Sequence, residues 1–195
     1  MRAGIGAVLA AGAIAAAGCA HAPGDTRVVA PDASWVVVPH MDLIAQRGDF
    51  DCGPAALAMA FARWGAAPPP EAPPPAPDGE AGGAATAGEL RDEARRAGFR
   101  SYVFEGSFDD LAAEVGAGRP VVVGLIHVER DARTPHFAVV VGHDAPRRHW
   151  LLADPALGLR TVREDALRTE WARAGWVTLV LFRDEVPPPS SAPPS

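Results

Sequence analysis

The sequence predicts an α+β fold in which N-terminal helices pack on a C-terminal antiparallel sheet. Helix-type segments come first along the chain, and β-branched apolar runs dominate its second half. Two of these runs, 136–142 and 149–153, flank a polar stretch with Asp144 and Pro146, which favour a turn, so they should pair as a hairpin. With 195 residues, of which 48% are hydrophobic, the chain is long enough for one domain with a core but not for two.

The first elements of the folded region are predicted from local signals. The Val-rich run 35–39 predicts a short strand. Pro54 is preset for a first helical turn and strong helix formers follow it, so we expect a helix over about 54–64. The segment 66–87 is rich in proline and glycine and is expected to be an extended, poorly ordered insertion. An amphipathic helix follows at 88–97, closed by a glycine.

The remaining elements lie on either side of the hairpin. They are a strand at 101–104, a helix at 107–115, a strand at 121–126, a strand at 160–162, a helix at 164–172 and a strand at 176–182. Ser107 is a helix-capping residue, and Asp109 and Asp110 suit the positive end of that helix. The domain should therefore span 35–185, followed by a disordered tail of proline and serine at 186–195.

The charge balance argues against nucleic acid as a partner. The formal net charge is −6, and all 18 basic residues are Arg. Because this bias runs through the whole composition, a single arginine is weaker evidence of a functional role. A nucleic-acid binder would usually present a basic patch. The sequence also shows no nucleotide-binding domain. We therefore expect neither nucleic acid nor ATP as a ligand, and no cofactor.

The segment 1–18 predicts a secretory signal, because Arg2 precedes an apolar stretch that ends in small residues. Cys19 follows directly, and the pattern is similar to a bacterial lipoprotein signal, in which this cysteine is lipidated and becomes the new N-terminus. Residues 19–34 would then form a tether, and the protein would be a membrane-anchored lipoprotein facing the periplasm. If the signal is an ordinary cleavable one, Cys19 is incidental and the protein is secreted.

The second cysteine, Cys52, is a candidate nucleophile. It lies at or just before the N-terminus of the helix at 54–64, and the positive end of a helix favours a thiolate. Gln46, six residues upstream, offers a side-chain amide that could join the backbone N–H of Cys52 in holding an oxyanion. A Cys19–Cys52 disulfide is the alternative for this thiol.

His136 and Asp154 are candidates for a base and for the group that orients it. A hairpin centred on residue 145 places them directly opposite or diagonal to each other. Cross-strand neighbours have Cβ atoms roughly 4.5–5.5 Å apart. A carboxylate at this position can accept from one imidazole nitrogen and thereby fix the tautomer that faces the thiol.

The histidines also offer a metal-site hypothesis, against which their spacing argues. His127, His136, His143 and His149 lie near one another in sequence, but His136 and His143 are seven apart and point to opposite faces of a regular strand. The folded region holds neither a second cysteine nor a closely spaced histidine pair. We therefore expect no metal site, and we expect the histidines other than His136 on the surface or in loops.

The candidate residues together match a known pattern. It consists of Gln46, the run Asp51-Cys52-Gly53, the strand start His136-Phe137 and the run Ala153-Asp154-Pro155. Over about 36–183, the chain resembles the C39 peptidase family and its C39-like relatives. The resemblance implies a papain-like fold, with Cys52 as nucleophile, His136 as general base, Asp154 as orienter and Gln46 as oxyanion donor.

The expected function is that of a cysteine peptidase of the bacterial cell envelope. Its substrate would be a peptide or protein, and its membrane contact would be the N-terminal lipid. Two alternatives remain open at this stage. One is a catalytically silent peptide-binding or assembly module of the same fold, and the other is a related thiol acyltransferase or amidase.

Overall fold

The computed structural model describes residues 32–68, 84–129 and 132–183. The predicted signal at 1–18, Cys19, most of the tether, the tail at 186–195 and the middle of the proline-rich insertion lie outside the described residues. Among the helices of the described ranges, none has the length and apolar character that crossing a bilayer requires.

The described chain contains an α+β arrangement of four helices and seven strands. In chain order these are β1 (Val36–Val37), α1 (Cys52–Ala62), α2 (Ala87–Arg96), β2 (Arg100–Glu105), α3 (Phe108–Gly116), β3 (Val121–Glu129), β4 (Ala132–Asp144), β5 (His149–Asp154), β6 (Gly158–Arg163), α4 (Glu164–Arg173) and β7 (Val177–Phe182). The predicted α+β class is confirmed, and each predicted element is present with its ends displaced by a few residues.

All seven strands form one antiparallel sheet, in the order β2-β7-β3-β4-β5-β6. The short strand β1 pairs with the end of β4, at His143 and Gly142, beyond the point where β3 begins. The sheet is therefore built mainly from the second half of the chain, as predicted, but β2 enters it before α3.

Helices cover both faces of the sheet. The N-terminal pair, α1 and α2, packs on one face against side chains such as Val139 and Leu179. The pair α3 and α4 packs on the other face against side chains such as Val140 and Leu152. Nine of the eleven residues of α1 are buried, which agrees with its almost wholly apolar sequence. The prediction of N-terminal helices on a sheet thus describes one of the two faces.

Two helices begin with reciprocal side-chain caps. The Ser107 hydroxyl accepts from the backbone of Asp110 at 3.2 Å, as predicted for a helix cap, and the Asp110 carboxylate in turn accepts from the backbone of Ser107 at 2.8 Å. Thr86 and Glu89 form the same arrangement at α2. Because Thr86 is the cap, α2 begins at Ala87, inside the stretch that the composition predicts to be part of the proline-rich insertion.

The β4–β5 hairpin differs in register from a simple hairpin centred on residue 145. Val139 pairs with Ala153 and Asp144 with His149, and the register shifts between Val140 and Gly142. The turn is centred between Pro146 and Arg147, which carries His136 past the position opposite Asp154. The one-residue bulge at Val141 shifts the pairing back by one, so that His136 and Asp154 lie diagonally on the same face of the sheet. The carbonyl of Val141 accepts from the backbone of Val38, at 2.8 Å, so the segment after β1 holds the bulge in place.

Candidate active site

The thiol of Cys52 lies at the first residue of α1, with Asp51 as the residue before it. The backbone N–H of Ala55 donates to the carbonyl of Asp51 at 3.0 Å, which closes the first helical turn around the cysteine. Cys52 is 3% exposed. Its sulfur therefore lies in a region of low dielectric at the positive end of a buried helix, which is the placement that the sequence predicts.

His136 and Asp154 are in direct contact. The imidazole Nε2 donates to Asp154 Oδ1 at 2.9 Å, and both residues are buried. The same carboxylate oxygen accepts from the backbone N–H groups of Ala156 at 2.9 Å and Leu157 at 3.1 Å. The turn that follows β5 therefore holds the carboxylate, and the carboxylate in turn holds the imidazole.

The hydrogen bond to Asp154 decides which imidazole nitrogen serves the thiol. Since Nε2 is engaged by Asp154, Nδ1 is the nitrogen left for Cys52, and the His136 side chain lowers the pKa of this thiol. The structure thus brings together the three predicted residues Cys52, His136 and Asp154. They form one chain of contacts from α1 through β4 to β5.

The three groups shift one another's ionisation. Burial acts to raise the pKa of Cys52, but the hydrogen bond to His136 and the backbone of Phe137 outweigh it, so the pKa falls below its ordinary 9.0. Burial acts to lower the pKa of His136, yet Asp154 and Cys52 raise it to about 9. The pKa of Asp154 falls to about 2 because His136 and Arg160 outweigh its burial. The arrangement favours a thiolate beside an imidazolium at neutral pH.

Gln46 is tied to this region through its backbone. Its N–H donates to the carbonyl of Pro155 at 2.9 Å, which fastens the loop before α1 to the residue after Asp154. One side-chain N–H donates to the carbonyl of Gly48 at 2.9 Å, while the amide oxygen is buried without a partner. The amide group has a second N–H, and this is the one that could serve as an oxyanion donor.

Three charged or polar residues that sequence reasoning missed surround the carboxylate. Arg160 on β6 is 6% exposed, and its Nε donates to Asp154 Oδ2 at 3.0 Å. Glu170 on α4 lies 3.8 Å from Arg160 Nη2 and 3.3 Å from His127 Nδ1. The sequence carries one signal for the burial of Arg160. It lies two residues before Val162, so on a regular strand both side chains point to the same face, and Val162 is buried.

His127 corrects the expectation for the other histidines. Its side chain is 15% exposed, and its ring packs 4.9 Å from the ring of His136. It is therefore part of the site and not a surface or loop residue. His143 and His149 lie at the other end of the β4–β5 hairpin, where His143 packs against Trp150.

The site also contains three potential metal donors. Atoms of His127, His136 and Asp154 lie within 4.8 Å of one another. However, Asp154 Oδ1 and His136 Nε2 already bind each other, and the Arg160 guanidinium is bound to the second carboxylate oxygen. A divalent cation would have to displace the first contact and overcome the repulsion of the second. The arrangement is that of an acid–base site.

Comparisons with known proteins place this chain in a family. The profile of the Peptidase C39 family matches residues 40–182, well over half of the chain. No match was found among curated proteins.

Three solved structures share the fold. The peptidase domain of Streptococcus ComA, described as a bi-functional ABC transporter involved in quorum sensing, is 20% identical, with a TM-score of 0.57 and coverage of 74% of this chain and 100% of that one. A C39-like peptidase from Bacillus anthracis is 16% identical, with a TM-score of 0.58 and coverage of 77% and 98%. A double glycine motif protease from an AMS/PCAT transporter, in complex with the leader peptide, is 18% identical, with a TM-score of 0.51 and coverage of 72% and 90%.

The family match over residues 40–182 and the shared peptidase fold agree with the α+β architecture described above and with the resemblance read from the sequence. This chain belongs to the Peptidase C39 family, a family of cysteine peptidases.

Proposed function

We propose that this protein hydrolyses peptide bonds through a Cys52–His136–Asp154 triad, with Gln46 as an oxyanion donor. The observation that carries the proposal is the buried chain of contacts in which Asp154 binds Nε2 of His136 and leaves Nδ1 for Cys52. This is the arrangement in which an imidazole can take a proton from a thiol and return it to a leaving group.

The first half of the reaction forms an acyl-enzyme. The Cys52 thiolate attacks the carbonyl carbon of the scissile bond, a C–S bond forms, and the carbonyl electron pair moves to the oxygen. The backbone N–H of Cys52 and the second N–H of the Gln46 amide donate to this oxyanion. As the C–N bond breaks, the His136 imidazolium gives its Nδ1 proton to the departing amine.

The second half releases the product. Water attacks the thioester carbonyl while neutral His136 takes one of its protons, and collapse of the second tetrahedral intermediate breaks the C–S bond. The Cys52 thiolate and the imidazolium are thereby restored. Throughout the cycle Asp154, held by two backbone N–H groups, keeps the imidazole in one orientation.

The substrate class that we propose rests on the family. The double glycine motif protease to which this chain is similar binds a leader peptide in its solved complex. We therefore take peptides with a double glycine as the first substrates to test.

The cellular setting rests on the N-terminal sequence. We propose that the protein is exported and that Cys19 carries a lipid that anchors it to the membrane facing the periplasm. Mass spectrometry of the N-terminal peptide from membrane fractions tests this proposal. We expect the native chain to carry a lipid on Cys19. We expect the Cys19→Ser variant to appear in the soluble fraction instead. An unmodified, membrane-free native chain would contradict the proposal.

The catalytic proposal is tested with the full chain carrying Cys19→Ser, so that Cys52 is the only thiol. Cleavage of a double-glycine peptide and of a mixed peptide library is followed by mass spectrometry. Cys52→Ala should abolish cleavage, and His136→Gln should slow it by about 10²- to 10⁴-fold. The matched control is His143→Gln, a histidine of the same strand outside the site, which should keep its rate. Cleavage that survives Cys52→Ala would overturn the mechanism.

A further inference from the structure

The second oxygen of Asp154 is bound by a buried arginine. Oδ1 accepts from His136 and from two backbone N–H groups, whereas Oδ2 accepts from Arg160 Nε at 3.0 Å. Both oxygens are therefore engaged, and the carboxylate plane has no freedom to rotate. Arg160 is the contact that fixes this plane from the side away from the imidazole.

Glu170 connects Arg160 back to the imidazole through a second path. Its Oε2 lies 3.8 Å from Arg160 Nη2, and its Oε1 lies 3.3 Å from His127 Nδ1. The His127 ring in turn packs on the His136 ring with centroids 4.9 Å apart and planes at 41°. The contacts thus form a closed circuit, and each group in it belongs to a different element.

The titratable and charged groups that face one another in this circuit come from every element packed around the site. They are Cys52 from α1, His127 from β3, His136 from β4, Asp154 from β5, Arg160 from β6 and Glu170 from α4. Along the path from Cys52 through His136, Asp154 and Arg160 to Glu170, the charges alternate in sign.

Stability alone is a weak reason for such a circuit. A buried ion pair often contributes no more to folding than apolar side chains of the same volume, because both ions lose their hydration. Arg160 is 6% exposed and its Nη2 atom is buried without a hydrogen bond, so its desolvation is only partly offset. A contact of this kind is better explained by what it does to Asp154.

We propose that Arg160 and Glu170 are positioning residues. Arg160 holds Asp154 in the orientation that His136 requires, and Glu170 places a negative charge beside Arg160 and His127, so that the two charges together set the pH range in which Cys52 reacts. The inference rests on the Cys52–His136 pair of the proposed function.

The two charges act on that pH range in opposite directions. The reactive state, thiolate beside imidazolium, appears when the thiol loses its proton and disappears when the imidazolium loses its own. A positive charge nearby makes both losses easier, so removal of the Arg160 charge should move both limits to higher pH. Removal of the Glu170 charge should move both to lower pH. The direction agrees with the lowered pKa of Asp154: burial acts to raise this pKa, whereas His136 and then the charge of Arg160 lower it.

The size of the effect follows from Coulomb's law. A unit charge about 8 Å away, at an effective dielectric constant of about 20 to 40, moves a pKa by roughly one unit. We expect about one pH unit for Arg160. Glu170 is also two contacts away from His136, through His127, but its side chain is 26% exposed, so solvent screening should reduce its effect to about half of that.

The test measures the rate of Cys52 alkylation by iodoacetamide between pH 4 and pH 10, in the full chain with Cys19→Ser. Arg160→Gln should move both limits of the reactive range up, and Glu170→Gln should move both down. Arg160→Lys, which keeps the charge, should leave the range near that of the parent. The double variant Arg160→Gln with Glu170→Gln removes both charges and should return the range toward the parent.

Arg163→Gln is the matched control, because Arg163 lies on the same strand with an exposed side chain that pairs with Asp165. The inference is overturned if the parent shows the reactive range but Arg160→Gln and Glu170→Gln leave it in place, move it the same way, or move it no more than Arg163→Gln does. A parent without any such range would instead overturn the proposed thiolate–imidazolium pair. Thermal melting of each variant separates these outcomes from loss of the fold.

Discussion

Replacement of Asp154 by Asn should damage both stability and reactivity, because neither orientation of the new amide fits the site. If its NH₂ group faces Arg160, two donors meet where a 3.0 Å hydrogen bond now exists. If it faces His136, Nε2 must accept, and the ring proton moves to Nδ1, toward Cys52. An imidazole in that tautomer cannot take the thiol proton. The variant loses the ion pair in both orientations, and in addition it loses either the hydrogen bond to Arg160 or the base.

The cost in stability follows from the burial of the partners. Asp154 is 1% exposed and Arg160 is 6% exposed, so the guanidinium would remain buried beside a neutral amide. Removal of one partner of a buried ion pair costs about 3–5 kcal/mol, against a total folding free energy of about 5–15 kcal/mol for a domain. Urea denaturation at neutral pH should report a loss of this size, and Cys52 alkylation should slow in parallel.

Two further variants make the reasoning refutable. Asp165→Asn removes a carboxylate from an exposed pair with Arg163, and it should leave the urea midpoint nearly unchanged. Asp154→Asn combined with Arg160→Met removes the buried guanidinium that the single variant leaves unpaired, and it should be more stable than Asp154→Asn alone. A loss below about 1 kcal/mol for Asp154→Asn, or a double variant less stable than the single one, would refute the account of a desolvated ion pair.

Two other expectations concern stability. The folded-state pKa of Asp154, about 2, lies below its ordinary 3.8, so its contribution is fully present above pH 3.8 and is lost as the pH falls through 2. That contribution is roughly 2 kcal/mol, and chemical denaturation between pH 5 and pH 2 should show the loss in the parent but not in Asp154→Asn. Gly106→Ala should lower the melting temperature, because a Cβ there would lie 2.3 Å from Thr178 Oγ1 and 3.1 Å from the Trp171 ring; Gly116→Ala, with nothing within 4 Å, is the control. Equal melting of the two glycine variants would contradict this packing.

The sequence predicts much of the fold because its signals are local. The cap at Ser107 forms as its spacing to Asp110 requires, since a capping box involves only one helical turn. The apolar run after Pro54 becomes a buried helix with Cys52 at its first residue. The predicted start of α2, at residue 88, is one residue late. Thr86 is the helix cap, but it lies in a stretch whose proline-rich and glycine-rich composition predicts a loop.

The hairpin shows where such reasoning stops. The strands 136–142 and 149–153 are visible in the sequence, but the bulge at Val141 depends on the segment after β1, which is about a hundred residues away along the chain. A simple hairpin centred on residue 145 would place His136 opposite Asp154. The observed turn is centred between Pro146 and Arg147, and the bulge shifts the pairing back by one residue, so the two residues lie diagonally. The contact survives because a diagonal neighbour in an antiparallel pair is still within reach of an imidazole.

By itself, the sequence determined the fold class, the order of the elements and the pairing of Cys52 with His136 and Asp154 as candidates, because each depends on residue types and on spacing within one or two elements. Only the tertiary structure decided that Arg160 and Glu170 complete the site and that His127 packs on His136. These residues come from β6, α4 and β3, and the alternation along β6 is too weak a signal by itself to single out one buried arginine among eighteen. Their roles arise from burial and from charges brought within 4 Å by the packing of a helix on a sheet, and these are properties that a linear sequence does not display.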